Sequence, residues 1–280
     1  MTTANSSLRE QYNISNGSEY ITANNTQWRD ATKLEKDFYL TIILHKIALL
    51  DKEYIFKGWT CLNKCHFGYY RLSEDLDFSL VVGEKNRTWR GIIIQEFFDD
   101  VTKICSELWL VCIDQRKRDT NHFGWMKRQY ISAITNTEQT ILFDIKTYIS
   151  FSCPPVILPI QDVFNDVLTG APLFPQTTIK CMSLEEAMAE KMRAALTRNI
   201  PAIRDFYDIR YAQKKWFDFM SIRDLISDKV KEVGWIITIQ NDIIRKQLHN
   251  QIETDLQPVV FWLQWFDLDK VYKYVLLFAT

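Results

Sequence analysis

The sequence predicts an α+β fold: a front half that mixes strands and helices, followed by a helical back half. Three observations carry this. Up to about residue 158, short apolar runs with period-two alternation are interleaved with 3.6-residue periodicity. The pair Pro154-Pro155 then interrupts the pattern. From Ile160 onward the apolar spacing is mostly helical. A chain of 280 residues with 47% hydrophobic and 14% aromatic content can bury a sizeable core in one large domain or two modest ones. The expected organisation is a flexible N-terminal arm over 1–27, an α/β domain over 28–158 and a helical domain over 159–280. A cleft between two such subdomains is a favoured place for a ligand.

Each element has a local reason. Residues 1–27 are rich in Thr, Asn and Ser with few apolar anchors, which reads as a loosely held arm. A helix is expected over 30–50, because Leu34, Phe38, Ile42, His45 and Leu49 recur at helical spacing. Tyr54-Ile55-Phe56 reads as a short buried strand that ends at Gly58, with Thr60 capping a short helix after it. An apolar strand starts at Asp75, and a helix over about 91–106 follows. Runs 108–113, 129–134 and 141–151 read as strands, and the charged segment 114–121 as a hairpin end. In the back half, Ser183-Leu184-Glu185-Glu186 is a capping box opening a helix to about Arg198. Further helices are expected over 202–216, 221–230, 240–252 and from Pro258 onward.

The formal net charge is −1, so no global field announces a nucleic-acid partner and any such affinity rests on local patches. No run approaches the roughly 20 apolar residues that cross a bilayer. The polar residues 1–25 lack an apolar signal core. The expected location is therefore the cytoplasm, without membrane contact. The six cysteines, Cys61, Cys65, Cys105, Cys112, Cys153 and Cys181, then read as reduced thiols. Cys61, Cys65 and His66 have the chemistry of metal ligands, but no second pair stands at zinc-finger spacing, so zinc is not expected.

The most informative residues are Asp75 and Asp77, which share one face of the strand, about 6.6 Å apart along it. Leu76, Phe78 and Leu80 share the other face. Two carboxylates so placed repel unless a cation lies between them, and magnesium prefers oxygen ligands and accepts substrate phosphates. Asp144 lies in a third run, 141–147, on the face opposite Ile141, Phe143 and Ile145. A neighbouring position would make it the third carboxylate of a metal site. The stretch Lys57-Gly58-Trp59-Thr60-Cys61-Leu62-Asn63-Lys64 resembles a phosphate loop: Gly58 permits close approach of backbone to an anion and Lys57 and Lys64 add positive charge. Lys191 falls on the apolar side of its helix with Leu184, Ala187, Met188 and Ala195, where lysine is unusual unless paired. Arg204 and Asp208 are placed to pair at i,i+4, which leaves Asp205 to reach Lys191 or the cleft. Arg116, Lys117, Arg118, Lys127 and Arg128 form a basic group that reads either as an RNA contact or as a solvated hairpin.

Four of these segments together resemble one known family. The segment from Phe56 to Lys64 resembles the Lys-Gly-Gly-Thr-(Ser/Ala)-Leu-x-Lys signature of the AbiEii/MenT-type nucleotidyltransferases, toxins of type IV toxin–antitoxin and abortive-infection systems. Arg71-Leu72-Ser73-Glu74-Asp75-Leu76-Asp77-Phe78 is similar to that family's Arg-Phe-Ser-Glu-Asp-Leu-Asp-Phe segment. Glu186-Ala187-Met188-Ala189-Glu190-Lys191 is similar to its Ala-Glu-Lys helix, and Arg204-Asp205-Phe206-Tyr207-Asp208 to its Arg-Asp-(Leu/Trp)-Tyr-Asp segment.

The resemblance implies a DNA polymerase β-like nucleotidyltransferase domain with a mixed sheet, followed by a helical domain. It implies magnesium and a nucleoside triphosphate as reactants. The acceptor is then an RNA such as a tRNA 3′ end, or a protein hydroxyl, and an antitoxin is a possible partner. Matching positions make Asp75 and Asp77 metal ligands with Ser73 beside them, Lys191 the triphosphate lysine and Asp205 its acidic partner. Asp144 follows from the fold's usual third carboxylate strand, and Lys57, Gly58, Thr60 and Lys64 complete the nucleotide side. One departure stands out. Trp59 occupies the place of the family's second glycine. The alternative reading is therefore a non-catalytic nucleotide- or RNA-binding module whose phosphate loop Trp59 has closed.

Overall fold

The computed structural model describes residues 31–279, except Ser73, Asp119, Asn121, Val167, Leu168, Trp235, Asn241, Phe261 and Trp262. The expected arm over 1–27 lies outside the described residues, and so does Ser73. The chain divides into two units, Met1–Phe151 with Pro155–Met182, and Ser152–Pro154 with Ser183–Thr280.

The first unit is built on a mixed seven-stranded sheet. Its elements in chain order are α1 (Ala31–Ala48), β1 (Ile55–Lys57), α2 (Gly58–Cys61), which widens into a π-helical turn (Leu62–Phe67), β2 (Asp75–Val81), α3 (Arg87–Glu107), β3 (Val111–Lys117), β4 (Phe123–Ile131), β5 (Glu138–Tyr148), β6 (Val156–Pro159) and β7 (Thr178–Cys181). The spatial order is β3-β4-β5-β2-β1-β7-β6. The β2–β5 and β1–β7 pairs are parallel and the others antiparallel.

Register decides which face carries chemistry. Leu76 pairs with Phe143 and Phe78 with Ile145 across β2 and β5. All four are fully buried, and they join Ile94, Phe97, Phe98 and Val101 of α3 in one core. Because side chains alternate along a strand, the residues between them must point to the opposite face. Those residues include Asp77 and Asp144, which are direct partners in the same register. The apolar packing of one face therefore sets the carboxylates side by side on the other. A one-residue slip would put the aspartates in the core, and the burial lost would be prohibitive.

The sheet departs from the expected boundary at residue 158. Val156–Pro159 and Thr178–Cys181 pair with each other, and Cys181 pairs with Phe56. These strands are four residues each, too short for period-two alternation to stand out in a stretch dominated by helical spacing. Of the segment 114–121, expected as a hairpin end, Asp114–Lys117 instead continue strand β3, which pairs antiparallel with β4.

The named elements of the second unit are helical: α4 (Leu184–Thr197), α5 (Ile203–Lys214), α6 (Arg223–Glu232), α7 (Asp242–Gln251) and α8 (Leu268–Leu276), with short 3-10 and π-helical turns between them. Ser183 caps α4 by accepting from the Glu186 amide. The other half of the expected capping box is redirected. The Glu186 carboxylate is buried against Lys229 Nζ of α6 at 2.7 Å and accepts from the Cys153 amide at 2.9 Å. A buried cation outweighs the reciprocal cap, since an unpaired charge there would cost several kcal/mol. No described helix is long and apolar enough to cross a membrane.

Candidate active site

In the first unit, Lys57, Asp77 and Asp144 form one row across three adjacent strands. Lys57 pairs with Asp77 between β1 and β2, and Asp77 with Asp144 between β2 and β5. Asp75 sits two residues before Asp77 and opposite Leu142. The three aspartates are half-buried on the face away from the core. Their proximity is felt electrostatically. Burial, then the charges of Asp77 and Asp75, push the Asp144 carboxyl up to about 6, although Lys57 and Arg118 pull in the other direction. The donor set suits a hard divalent cation, which relieves the mutual repulsion of carboxylate oxygens.

The turn after β1 closes over this row. Gly58 has φ +70, and a Cβ placed on it would lie 2.1 Å from Asp77 Oδ2. Glycine is thus required twice, for the left-handed backbone and for the close approach of the carboxylate. Thr60 does not act as the expected cap. It lies inside α2 and its hydroxyl donates to the Asp75 carbonyl, tying the helix to the start of the aspartate strand. Trp59 holds its indole 3.8 Å from the guanidinium carbon of Arg71, itself almost fully buried. The tryptophan that replaces the family's glycine therefore has a stacking partner within the same pair of motifs.

Lys64 departs from its expected place at a phosphate. Its ammonium is enclosed, 3.0 Å from the Asp37 carboxylate of α1 and 2.8 Å from Thr41 Oγ1, with Tyr69 completing the group. Both Lys64 and Asp37 are inaccessible. Physically, this is a buried ion pair that fastens the π-helical turn to α1, and a side chain so enclosed is not available to a ligand as it stands. Of the basic group on the hairpin, Arg116, Lys117, Arg118 and Lys127 are exposed. Arg128 is the exception: it is buried and donates to Thr102 of α3. Alternation along β4 sends it to the core face, a consequence of register that charge counting does not see.

In the second unit, Lys191 of α4 meets two carboxylates of α5, Asp205 at 3.0 Å and Asp208 at 3.3 Å. Arg198 reaches Asp205 at 2.7 Å from the other side. The expected approach of Asp205 to Lys191 is present. Asp208, expected on Arg204, also turns to Lys191. The aspartates are almost wholly buried, with Lys191 and Arg198 set against them.

Sequence reasoning missed Arg198 and Asp37. Arg198 is the C-terminal cap of the helix that the capping box opens, and only the packing of α5 brings it to Asp205. Asp37 stood in plain view as a charge on the buried side of α1, one residue from Phe38.

Comparison with known proteins gives three results. The family model described as nucleotidyl transferase AbiEii toxin, type IV TA system, matches residues 42–261. Among solved structures, the chain is similar to JHP933 from Helicobacter pylori, with 18% identity and a TM-score of 0.51 over 88% of this chain and 90% of that one. It is similar also to a presumed nucleotidyltransferase from H. pylori, with 17% identity and a TM-score of 0.50 over 88% of this chain and 92% of that one. At such identity these two likenesses speak for the fold. No curated protein matches the chain.

Proposed function

This chain belongs to the AbiEii family of nucleotidyl transferase toxins of type IV toxin–antitoxin systems, and on that premise we propose that it transfers a nucleoside monophosphate from a nucleoside triphosphate to a hydroxyl acceptor. The observation that carries the reading is the row Lys57, Asp77 and Asp144 with Asp75 beside it, closed on one side by Gly58. We read the seven-stranded sheet as the DNA polymerase β-like core of such enzymes. Asp75 and Asp77 would hold magnesium, with Asp144 the third carboxylate of the set. When bound, the ion neutralises charge on the triphosphate and on the pyrophosphate that leaves.

The chain's own residues do the rest. With no side chain at Gly58, the turn packs directly against the Asp77 carboxylate, so backbone and not a side chain borders the carboxylate row there. Lys57, alongside Asp77 and 5.4 Å from the Tyr148 ring centroid, supplies positive charge at the same place. Asp144, the register partner of Asp77 on the adjacent strand, is the carboxylate placed to act as general base. It takes the proton of the acceptor hydroxyl as that oxygen attacks the α-phosphorus and the bond to pyrophosphate breaks. Positioning and charge neutralisation account for the rate, since phosphoryl chemistry needs no covalent help from the protein. Lys191 as triphosphate lysine, Asp205 as its partner and Ser73 beside Asp75 are carried by the family resemblance alone.

We favour an RNA 3′ end as acceptor. The exposed Arg116, Lys117, Arg118 and Lys127 lie on the β3–β4 hairpin, and β4 is the direct neighbour of the Asp144 strand. RNA and triphosphate place the reaction in the cytoplasm, and a cognate antitoxin is the expected protein partner. The test is incubation with α-labelled triphosphates, magnesium and total RNA. Label should enter RNA with the wild type and not with Asp77→Asn. Transfer that survives the substitution contradicts the assignment. Binding of triphosphate without any transfer by the wild type would favour the non-catalytic module.

A further inference from the structure

Cys61 ends α2, Cys65 lies in the π-helical turn that continues it, and Cys181 closes β7. Their three sulfur atoms all lie within 4.8 Å of one another, and all three residues are buried. Among the described residues this is the one group of His, Cys, Asp and Glu ligand atoms gathered so closely. Thiolates about 2.3 Å from a tetrahedral zinc ion are about 3.8 Å apart. The trio is therefore within about an ångström of ligand spacing without any movement of the backbone.

A fourth group stands next to it. The ring of His66 lies beside the Cys181 thiol but outside the close spacing of the three sulfurs, so it would have to turn toward them to join, and its Nε2 is 2.9 Å from the Met182 carbonyl oxygen. A carbonyl only accepts, so Nε2 carries the hydrogen and the lone pair is on Nδ1. Histidines that bind metals hold their other nitrogen in this way, donating to a backbone carbonyl that fixes tautomer and ring orientation. His66 is also half-exposed, which gives an ion a route in. The spacing Cys61-x-x-x-Cys65 lies within the range used by structural zinc sites. To Cys61, Cys65 and His66, which stand close together in the sequence, the fold adds Cys181 through strand pairing.

We propose that Cys61, Cys65, Cys181 and His66 form a closed structural site for zinc. All four positions would come from the protein, which is the pattern of a site that holds structure rather than one that keeps a position open for substrate. Soft thiolates select zinc over magnesium, so the site is chemically separate from the carboxylate row. Its place in the fold gives it a consequence. The ion would fasten α2, the helix that begins at Gly58, to β7 on the far side of β1, and so stiffen the turn over Asp77. Binding releases the thiol protons to solvent.

The experiment uses the full chain. Metal content is measured on protein purified under reducing conditions, and cobalt is then exchanged into it. The expected results are about one zinc per chain and a tetrahedral cobalt spectrum with a thiolate-to-cobalt band. Cys181→Ser should lose most of the zinc. Cys112→Ser, an exposed thiol outside the trio, and Asp77→Asn, which alters the carboxylate row, should keep it. A zinc-selective chelator added in excess magnesium should lower the melting midpoint of the wild type by several degrees. Wild-type protein that holds no zinc, binds cobalt without a thiolate band, or forms a disulfide within the trio overturns the proposal, and these readouts need no variant to fold.

Discussion

The carboxylate row of the sheet and the lysine cluster of α4 and α5 are two arrangements of half-buried and buried charge, and they are balanced differently. In the helical unit, Lys191 and Arg198 answer Asp205 and Asp208 within hydrogen-bond distance. In the sheet unit, Lys57 and Arg118 pull on Asp144, yet burial and its acidic neighbours still raise its carboxyl to about 6. A balanced cluster stabilises the unit that contains it. A cluster whose charges are set against one another stores unfavourable energy, which a bound cation releases. The difference teaches where to look for chemistry: perturbed titration with a named like-charge cause marks a site more surely than a buried charge does.

The sharpest way to break the comparison is to remove the balancing cation. Lys191→Met should destabilise the protein by about 3–5 kcal/mol, because it leaves buried carboxylates without their lysine. Denaturant unfolding measures it, and a loss under about 1 kcal/mol would mean that the cluster is not a structural unit.

The second test acts on geometry. Gly58→Ala forces a Cβ to within 2.1 Å of Asp77 Oδ2 and into a left-handed backbone. The strain should cost about 1–2 kcal/mol, and displacement of the carboxylate should cost about 100-fold in transfer rate. Activity that falls no further than the folded fraction does would separate Asp77 from the chemistry.

The third test inverts the sign expected of most polar substitutions. A carboxyl whose folded value is raised contributes stability at low pH and loses it as pH rises from its unfolded value near 4 through about 6. Without divalent metal, Asp144→Asn should therefore be more stable than the wild type at pH 7, by about 1–2 kcal/mol after allowance for solvent screening. It should also flatten the decline between about pH 4 and pH 6, while transfer activity is lost. Melting across that range checks both. The smallest effect belongs to Gly83→Ala. Gly83 also has positive φ, but nothing lies within 4 Å of its Cβ position. It should lose about 1 kcal/mol, the low end of the left-handed penalty, and keep its transfer rate, which isolates the Asp77 contact as the special feature of Gly58.

Much of this was legible in the sequence because alternation is a local signal. Asp75 and Asp77 against Leu76 and Phe78 declare two faces within four residues, and Asp144 against Phe143 and Ile145 does the same. That the two strands are neighbours, with Asp77 facing Asp144, is a property of pairing and could only be assumed. Long-range partners account for the other differences. Lys64 was assigned to an anion by its neighbour Gly58, but Asp37, on α1, holds it. Glu186 left its capping role for Lys229. Cys61, Cys65 and His66 lacked a fourth ligand because Cys181 arrives through a parallel strand pair with β1. In each case the residue type was informative and its partner lay beyond the reach of periodicity. Thr60 is a smaller case: its hydroxyl serves the Asp75 carbonyl across the turn instead of the helix it was expected to cap.

The central claim is that the strained carboxylate row is a divalent-metal centre for a nucleoside triphosphate. The direct measurement is the melting midpoint at pH 7 with increasing magnesium, in the presence of a triphosphate, for the wild type and for the Asp75→Asn, Asp77→Asn double variant. Ligand that binds only the folded state raises the midpoint as its concentration rises. The account predicts a saturable rise in the wild type and none in the double variant. An equal rise in both, or no rise in the wild type, would contradict it.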